Sequence, residues 1–430
     1  MVGNLNTLVG GSQNTVVGNS NTLGGNKNFI QGSGNFNMGD LNTILGNLNT
    51  NVGSLNHIDG NANQVKGLLN NIDGNFNNVG GILNKVNGDF NGAFGNLNEI
   101  KGSHNFVNGN LNNVLGNLNG IIGDQNALKG NLNFVMGNNN QATGDGNKIV
   151  GISNGALGDL NKLFGIGNLA IGNNNEARGI GNNLVGEFNA ATGNGNNLFG
   201  IRNAAAGSFN QIQGGYNAAS GDNNNVQGIL NALTGNSNIV QGVSNQLIGN
   251  GNGVIGNSNI VEKDFNKLIG SNNEVRGFLN QVEGNTNLIN GNINQITGNA
   301  NKVNGNINGI TGSLNLVNGS LNGINGSLNS VNGNLNGING SLNSITGDGN
   351  GIQGLLNQVN GNINSVTGIA NNVQGNSNTL FGNLNKFIGN NNNLVLPNMN
   401  GLSGLNLNMN GGGMSTGHPQ GAGGMSGGYD

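Results

Sequence analysis

The 430-residue chain has no cysteine and no tryptophan, two prolines and 7% charged residues. Without cysteine, disulfides and thiolate metal sites are excluded, and the redox compartment stays open. Ordinary globular domains carry about 25% charged residues, so this composition excludes a conventional enzyme domain. The formal net charge of −3 is small for the length and holds the chain in solution only weakly. Nowhere do Lys and Arg cluster as a nucleic-acid footprint requires. No apolar run approaches the ~18 residues of a membrane helix, so no membrane span is expected. MVGNLNTLVG at the N-terminus lacks a basic n-region and an apolar h-region, so no signal peptide is read there. The expected compartment is intracellular, or extracellular for a mature, processed form. The three histidines, His57, His104 and His418, are far apart and lack metal-ligand spacing. Asp is sporadic, unlike the repeated Asp of calcium-binding β-rolls. No Ser/His/Asp arrangement is recognisable, and a thin repeat structure offers paired carboxylates no pocket. No catalysis and no cofactor are expected.

What is present is glycine, 85 of 430 residues, and still more asparagine. Residues 319–347 read GSLNGINGSLNSVNGNLNGINGSLNSITG. With the frame fixed on Gly11, every seventh residue to Gly389 is glycine, 55 positions with one exception at Lys263. Three residues after each frame position stands Asn, from Asn14 to Asn392, without exception. Two residues later comes an apolar column, Val16 to Leu394, broken only at Asn37 and Asn51. The consensus is G-x-x-N-x-φ-x, and its strictness implies a structural repeat. In the quoted stretch the structural columns are Gly319, Gly326, Gly333 and Gly340; Asn322, Asn329, Asn336 and Asn343; and Ile324, Val331, Ile338 and Ile345.

Seven residues is also the coiled-coil period. A coiled coil needs two apolar positions per heptad, whereas here each heptad carries a Gly and an Asn, both poor helix formers. Collagen needs glycine every third residue. The strand reading fits. Asn and φ are two apart and share one side of a strand, and glycine permits a tight corner. Stacking identical heptads gives an aliphatic ladder beside an asparagine ladder, whose amides bond along the stack and satisfy backbone groups at the corner.

Two features put two heptads in one coil. In 305–352 the residue after the frame Asn is Gly at 309, 323, 337 and 351, fourteen apart. Between 142 and 219 the core column alternates small and large: Ala142, Ala156 and Ala170 with Ile149 and Leu163, then Ala177, Ala191, Ala205 and Ala219 with Leu184, Leu198 and Ile212. A small residue facing a large one keeps a thin core at constant volume. The predicted fold is all-β: a single-chain β-solenoid, or β-roll, over 11–396 with 14-residue coils. An out-of-frame repeat (Gly3, Asn6, Leu8) occupies 1–10, and a Gly/Met/Asn-rich tail over 397–430 has the composition of disorder. About 27 coils at ~4.8 Å imply a rod on the order of 130 Å.

The stretches SQNTVVG (12–18) and SNIVQG (237–242) carry the pattern x-x-N-x-V-x-G. Over about 11–396 this resembles the ryegrass-type grass antifreeze proteins. The resemblance implies a left-handed β-roll with 14–15-residue coils, and ice binding through one flat, Thr-rich face. A more distant resemblance is to the β-roll heads of trimeric bacterial adhesins, which favour Ser and Ala over Asn; it implies trimers and a membrane anchor.

The outward residues keep no continuous Thr face: Thr143, Thr192, Thr234, Thr297, Thr311, Thr346 and Thr367 are scattered. The position before the frame Asn is often Leu, as at Leu314, Leu321, Leu328, Leu335 and Leu342. Strand alternation points it outward as a contact ladder; tucking inward at the corner fits as well. Around the frame break, VEKDFN (261–266) gathers Glu262, Lys263 and Asp264, as a kink, a partner site or a distorted corner with solvated charges. Asn318, Asn325 and Asn339 begin N-G-S sequons, relevant only to a secreted protein. No covering segment is read at the N-terminal edge, which leaves strand edges open to stacking on another molecule. The expected function is structural: a self-associating rod forming a filament, fibre or matrix, with itself as partner. Ice binding on the same scaffold, with an ice surface as partner, and an adhesin-like surface rod are the alternatives.

Overall fold

The computed structural model describes residues 1–395 and the backbone of 406–409. Among these residues there is no helix; every regular element is a strand of two to five residues. Contacts divide the chain into two compact units, Met1–Gly251 and Asn252–Asp430, and each is a parallel β-solenoid.

The local rule is the same in both units. The last three positions of a heptad form the strand, as in Gly323–Asn325, Ser330–Asn332, Gly337–Asn339 and Ser344–Thr346. Except at the first and last pairings, strands pair in parallel with the strand fourteen residues on, not seven: Ile324 opposes Ile338, and Val331 opposes Ile345. Successive heptads therefore lie in two opposite sheets, and two heptads close one coil. Sheet one holds the series beginning at Thr15–Val17, and sheet two the series beginning at Thr7–Leu8 and Thr22–Gly24.

The φ residues fill the space between the sheets and are at most 5% exposed from Val16 to Phe387. Ala142, Ala156 and Ala170 stack in sheet one and are followed there by Leu184. Sheet two carries Ile149 and Leu163, and then Ala177. The small column thus changes sheets at Ala170–Ala177, and small faces large on both sides of the change. Asn37 and Asn51 are fully buried in the sheet-two column. Asn51 Nδ2 donates to Asn37 Oδ1 at 2.7 Å, while Asn37 Nδ2 has no partner.

The frame Asn is buried at every coil from Asn21 to Asn385; inside the stack its four side-chain bonding positions are used, as at Asn329, while Asn385 Oδ1 has no partner. Asn329 donates its backbone N–H and its Nδ2 to Asn315 Oδ1, at 3.0 and 3.1 Å, and its second Nδ2 hydrogen to the Gly340 carbonyl at 2.8 Å. Its own Oδ1 accepts the N–H and Nδ2 of Asn343, both at 3.0 Å. The asparagine ladder expected from sequence thus runs through the interior and also ties down the corner carbonyls.

The frame glycine is required twice over. Gly319 has φ +144°, a region closed to side chains, and a Cβ there would overlap the Gly333 carbonyl oxygen in the next coil. Lys263 fills the frame position at φ +77°. Its carbonyl still accepts the Asn252 amide at 2.9 Å, as the glycine carbonyls do elsewhere.

The out-of-frame start is a real coil with one extra residue. Thr7 opposes Thr22, and Asn21 N–H donates to Asn6 Oδ1 at 3.1 Å, both fifteen residues apart. In the 397–430 stretch, Asn406–Met409 pairs in parallel with Lys386–Gly389; the rest of the expected disordered tail lies outside the described residues.

Candidate contact surfaces

Each coil turns two corners, built from the first three heptad positions. The third corner residue sits in the left-handed region throughout, with φ of 54–71° from Leu5 to Asn391. This is where Leu314, Leu321, Leu328, Leu335 and Leu342 lie, not on a strand. They are 48–62% exposed, so they stand at the corner with about half their surface in solvent. The fourteen-residue coil divides them: Leu314, Leu328 and Leu342 line the corner entering sheet two, and Leu321 and Leu335 the corner entering sheet one. In the first unit the corner entering sheet one carries Leu41, Leu55, Leu69, Leu83, Leu97 and Leu111 in six consecutive coils, each 44–50% exposed.

Aromatic and charged residues at equivalent positions also stack. Phe76 and Phe90 are parallel with centroids 4.8 Å apart, and His104 continues the stack at 4.9 Å. Arg202 lies between Phe188 and Tyr216, at 5.3 and 5.4 Å from their rings. Glu99 bridges Lys101 at 3.2 Å and Lys85 at 3.5 Å. Its hydrogen bond and charge contact with Lys101, and then the Lys85 charge, hold its carboxyl below the ordinary carboxylate range. At the frame break, Arg276 reaches Glu274 at 2.7 Å and Glu262 at 3.7 Å, and Lys263 Nζ lies 6.0 Å from the Phe278 ring. His57 is exposed on sheet one, and His418 lies outside the described residues. Asn318, Asn325 and Asn339 are exposed at strand ends, with Asn325 beside Asn339 in sheet one.

A second polar ladder was not read from the sequence. The second corner residue is mostly Asn, Asp or Ser, and its side chain accepts the N–H of the equivalent residue one coil earlier. Asn47 N–H donates to Asn61 Oδ1 at 2.9 Å, Asn61 to Asn75 at 2.9 Å, and Asn75 to Asp89 at 2.7 Å. Ser313, Ser327 and Ser341 form the same chain through hydroxyls at 3.0 Å. Where the position is aliphatic no acceptor exists, and the strand lengthens to five residues, as in Lys148–Ile152, Lys162–Ile166 and Asn225–Ile229. The signal was a polar column with the small side chains that favour turns.

Shallow grooves lie on both sheets and at a corner, the last past Leu160, Asn174 and Phe188. One of about 460 Å³ crosses sheet two over Ala190, Ala204, Ala218 and Ala232, beside Thr192 and Thr234. Another, near 250 Å³, follows sheet one past His57, Asp59 and Asp73. Among the described residues no group of three or more His, Cys, Asp or Glu is placed to hold a metal, and no helix is long and apolar enough to cross a membrane. No protein-family model matches the chain, and neither does any curated protein.

Proposed function

We propose that this is a structural protein whose solenoid units associate sideways with other copies, building a fibre, coat or matrix. The observation that carries this reading is the set of half-exposed aliphatic rows at the corners of both units. They run along the stack, keep the coil spacing, and are larger than the scattered apolar residues of an ordinary surface. Apart from Asn37 and Asn385, the buried core asparagines find their partners within the stack, so the interior is committed to holding it together. Electron microscopy and sedimentation of untagged protein over a range of concentrations test the reading. Concentration-dependent assemblies are expected; single particles at every concentration overturn it.

A second reading, ice binding, draws on one patch. In sheet two, Ala190, Ala204, Ala218 and Ala232 form one outward column, and Thr192, Ala206, Ser220 and Thr234 the next. Four coils of small side chains line a shallow groove, with hydroxyls at three of them. Ice-crystal shaping that is lost in Thr192→Lys/Thr234→Lys would favour this reading; unshaped crystals at high protein concentration would end it.

A further inference from the structure

The row Leu41, Leu55, Leu69, Leu83, Leu97 and Leu111 sits where the fold has no need of leucine. All six have φ between 58° and 61°, a conformation that Gly and Asn adopt readily and leucine does not. Coil stacking fixes that backbone: the Leu55 N–H donates to the Asp40 carbonyl at 3.0 Å, and the Leu97 N–H to the Ile82 carbonyl at 2.9 Å. Later in the same corner series the chain places Asn139, Gly167, Gly181 and Gly195 at the same φ, so residues suited to the conformation are compatible with the corner. About half of each leucine's surface is buried within its own unit. Nothing within the chain accounts for the half that stays exposed.

From this we infer that the six leucines are a seam that pairs with the same row of a second copy, an inference that rests on the self-association proposed above. Three observations select a second copy as occupant. The first is spacing. Paired strands of successive coils lie about 4.8 Å apart, and the side chains of Phe76, Phe90 and His104 repeat at 4.8 and 4.9 Å. Same-face residues of an extended peptide recur at about 6.6 Å, and turns of an α-helix at about 5.4 Å. Over six positions both fall out of step, whereas a second solenoid stays in register. The second is charge: among the second and third residues of this one corner, taken coil by coil from Asp40 to Leu111, Asp40 alone is charged, so two such rows meet with little like-charge repulsion. The third is area. With Leu68 and Ile82 beside it, 42% and 41% exposed, the row offers on the order of 500 Å² per copy. A symmetric pair then reaches the ~1,000 Å² at which specific interfaces begin.

The test replaces Leu55, Leu69, Leu83 and Leu97 by Asn in the full chain, since Asn tolerates the backbone conformation. Sedimentation velocity over a concentration series and a thermal melt at low concentration are read together. The expected result is association weakened at least about tenfold, with a melting temperature equal to or above that of the parent. Should the quadruple variant fail to fold, Leu69→Asn/Leu83→Asn carries the test, with smaller weakening expected. A variant that associates like the parent overturns the seam and leaves lateral association standing through another row. A lowered melting temperature in the folded variant also overturns it, because the leucines are then held by contacts within the chain. A parent that stays monomeric throughout overturns the seam and the self-association reading together.

Discussion

At Gly319 a Cβ would meet the Gly333 carbonyl oxygen, and φ is +144°; at Gly323, in a strand, a Cβ meets nothing within 4 Å. Gly319→Ala is therefore expected to cost at least about 3 kcal/mol through overlap and backbone strain. Gly323→Ala should be neutral, or stabilising by up to about 1 kcal/mol. Comparing the two melts separates glycine as a corner requirement from glycine as composition. The Asn329 side chain makes four hydrogen bonds in the interior. Asn329→Ala strands several buried partners, at about 1–3 kcal/mol each, so the Asn343 amide should exchange its hydrogen at least about a hundredfold faster. The buried pair Asn37 and Asn51 runs the other way. Asn37 Nδ2 is unsatisfied, and Asn37→Val/Asn51→Val restores the aliphatic column between Leu23 and Val65. Because the change also removes the Asn51 Oδ1 that accepts Asn56 Nδ2 at 3.0 Å, a net rise in stability of about 1 kcal/mol is expected from melting.

The strands were legible because three columns repeat without slippage, and a two-residue offset between Asn and φ has one reading in a strand. The fourteen-residue coil was legible from the small/large alternation between Ala142 and Ala219. The corners were less so. Alternation placed Leu314 and its neighbours outward, but gave no sign of the left-handed backbone, because leucine is among the last residues one would assign to it. The Asn/Asp/Ser column at the second corner position was visible, yet its role depends on where the previous coil's N–H points, which periodicity does not encode. Corners are also where the repeat tolerates exceptions. Lys263 holds φ +77° and keeps the carbonyl–amide bond to Asn252 at 2.9 Å. Lys263→Gly is expected to raise stability by about 1 kcal/mol, less the cation–π contact with Phe278; an unchanged or lowered melting temperature would show that this corner has repacked around the lysine.

Each coil bonds to its two neighbours, so stability at the scale of a whole unit is close to a sum over coils and the contacts between them. Removing residues 319–332 deletes one coil and joins equivalent positions. The variant should melt within about 3 °C of the parent. Removing residues 319–323 shifts every later column out of register and should abolish the cooperative melt of the second unit. Equal melts for the two deletions would contradict the stacked-column account. The two side-chain ladders add a further property. In the inner ladder the Asn N–H groups point to the preceding coil, as Asn343 does to Asn329; in the outer ladder they point to the following coil, as Asn47 does to Asn61. An α-helix aligns its peptide dipoles and accumulates partial charge at its ends. Here the contributions oppose one another, as in sheets generally. Adding coils therefore builds up little electric moment along the stacking direction, and growth of the repeat carries no rising electrostatic penalty.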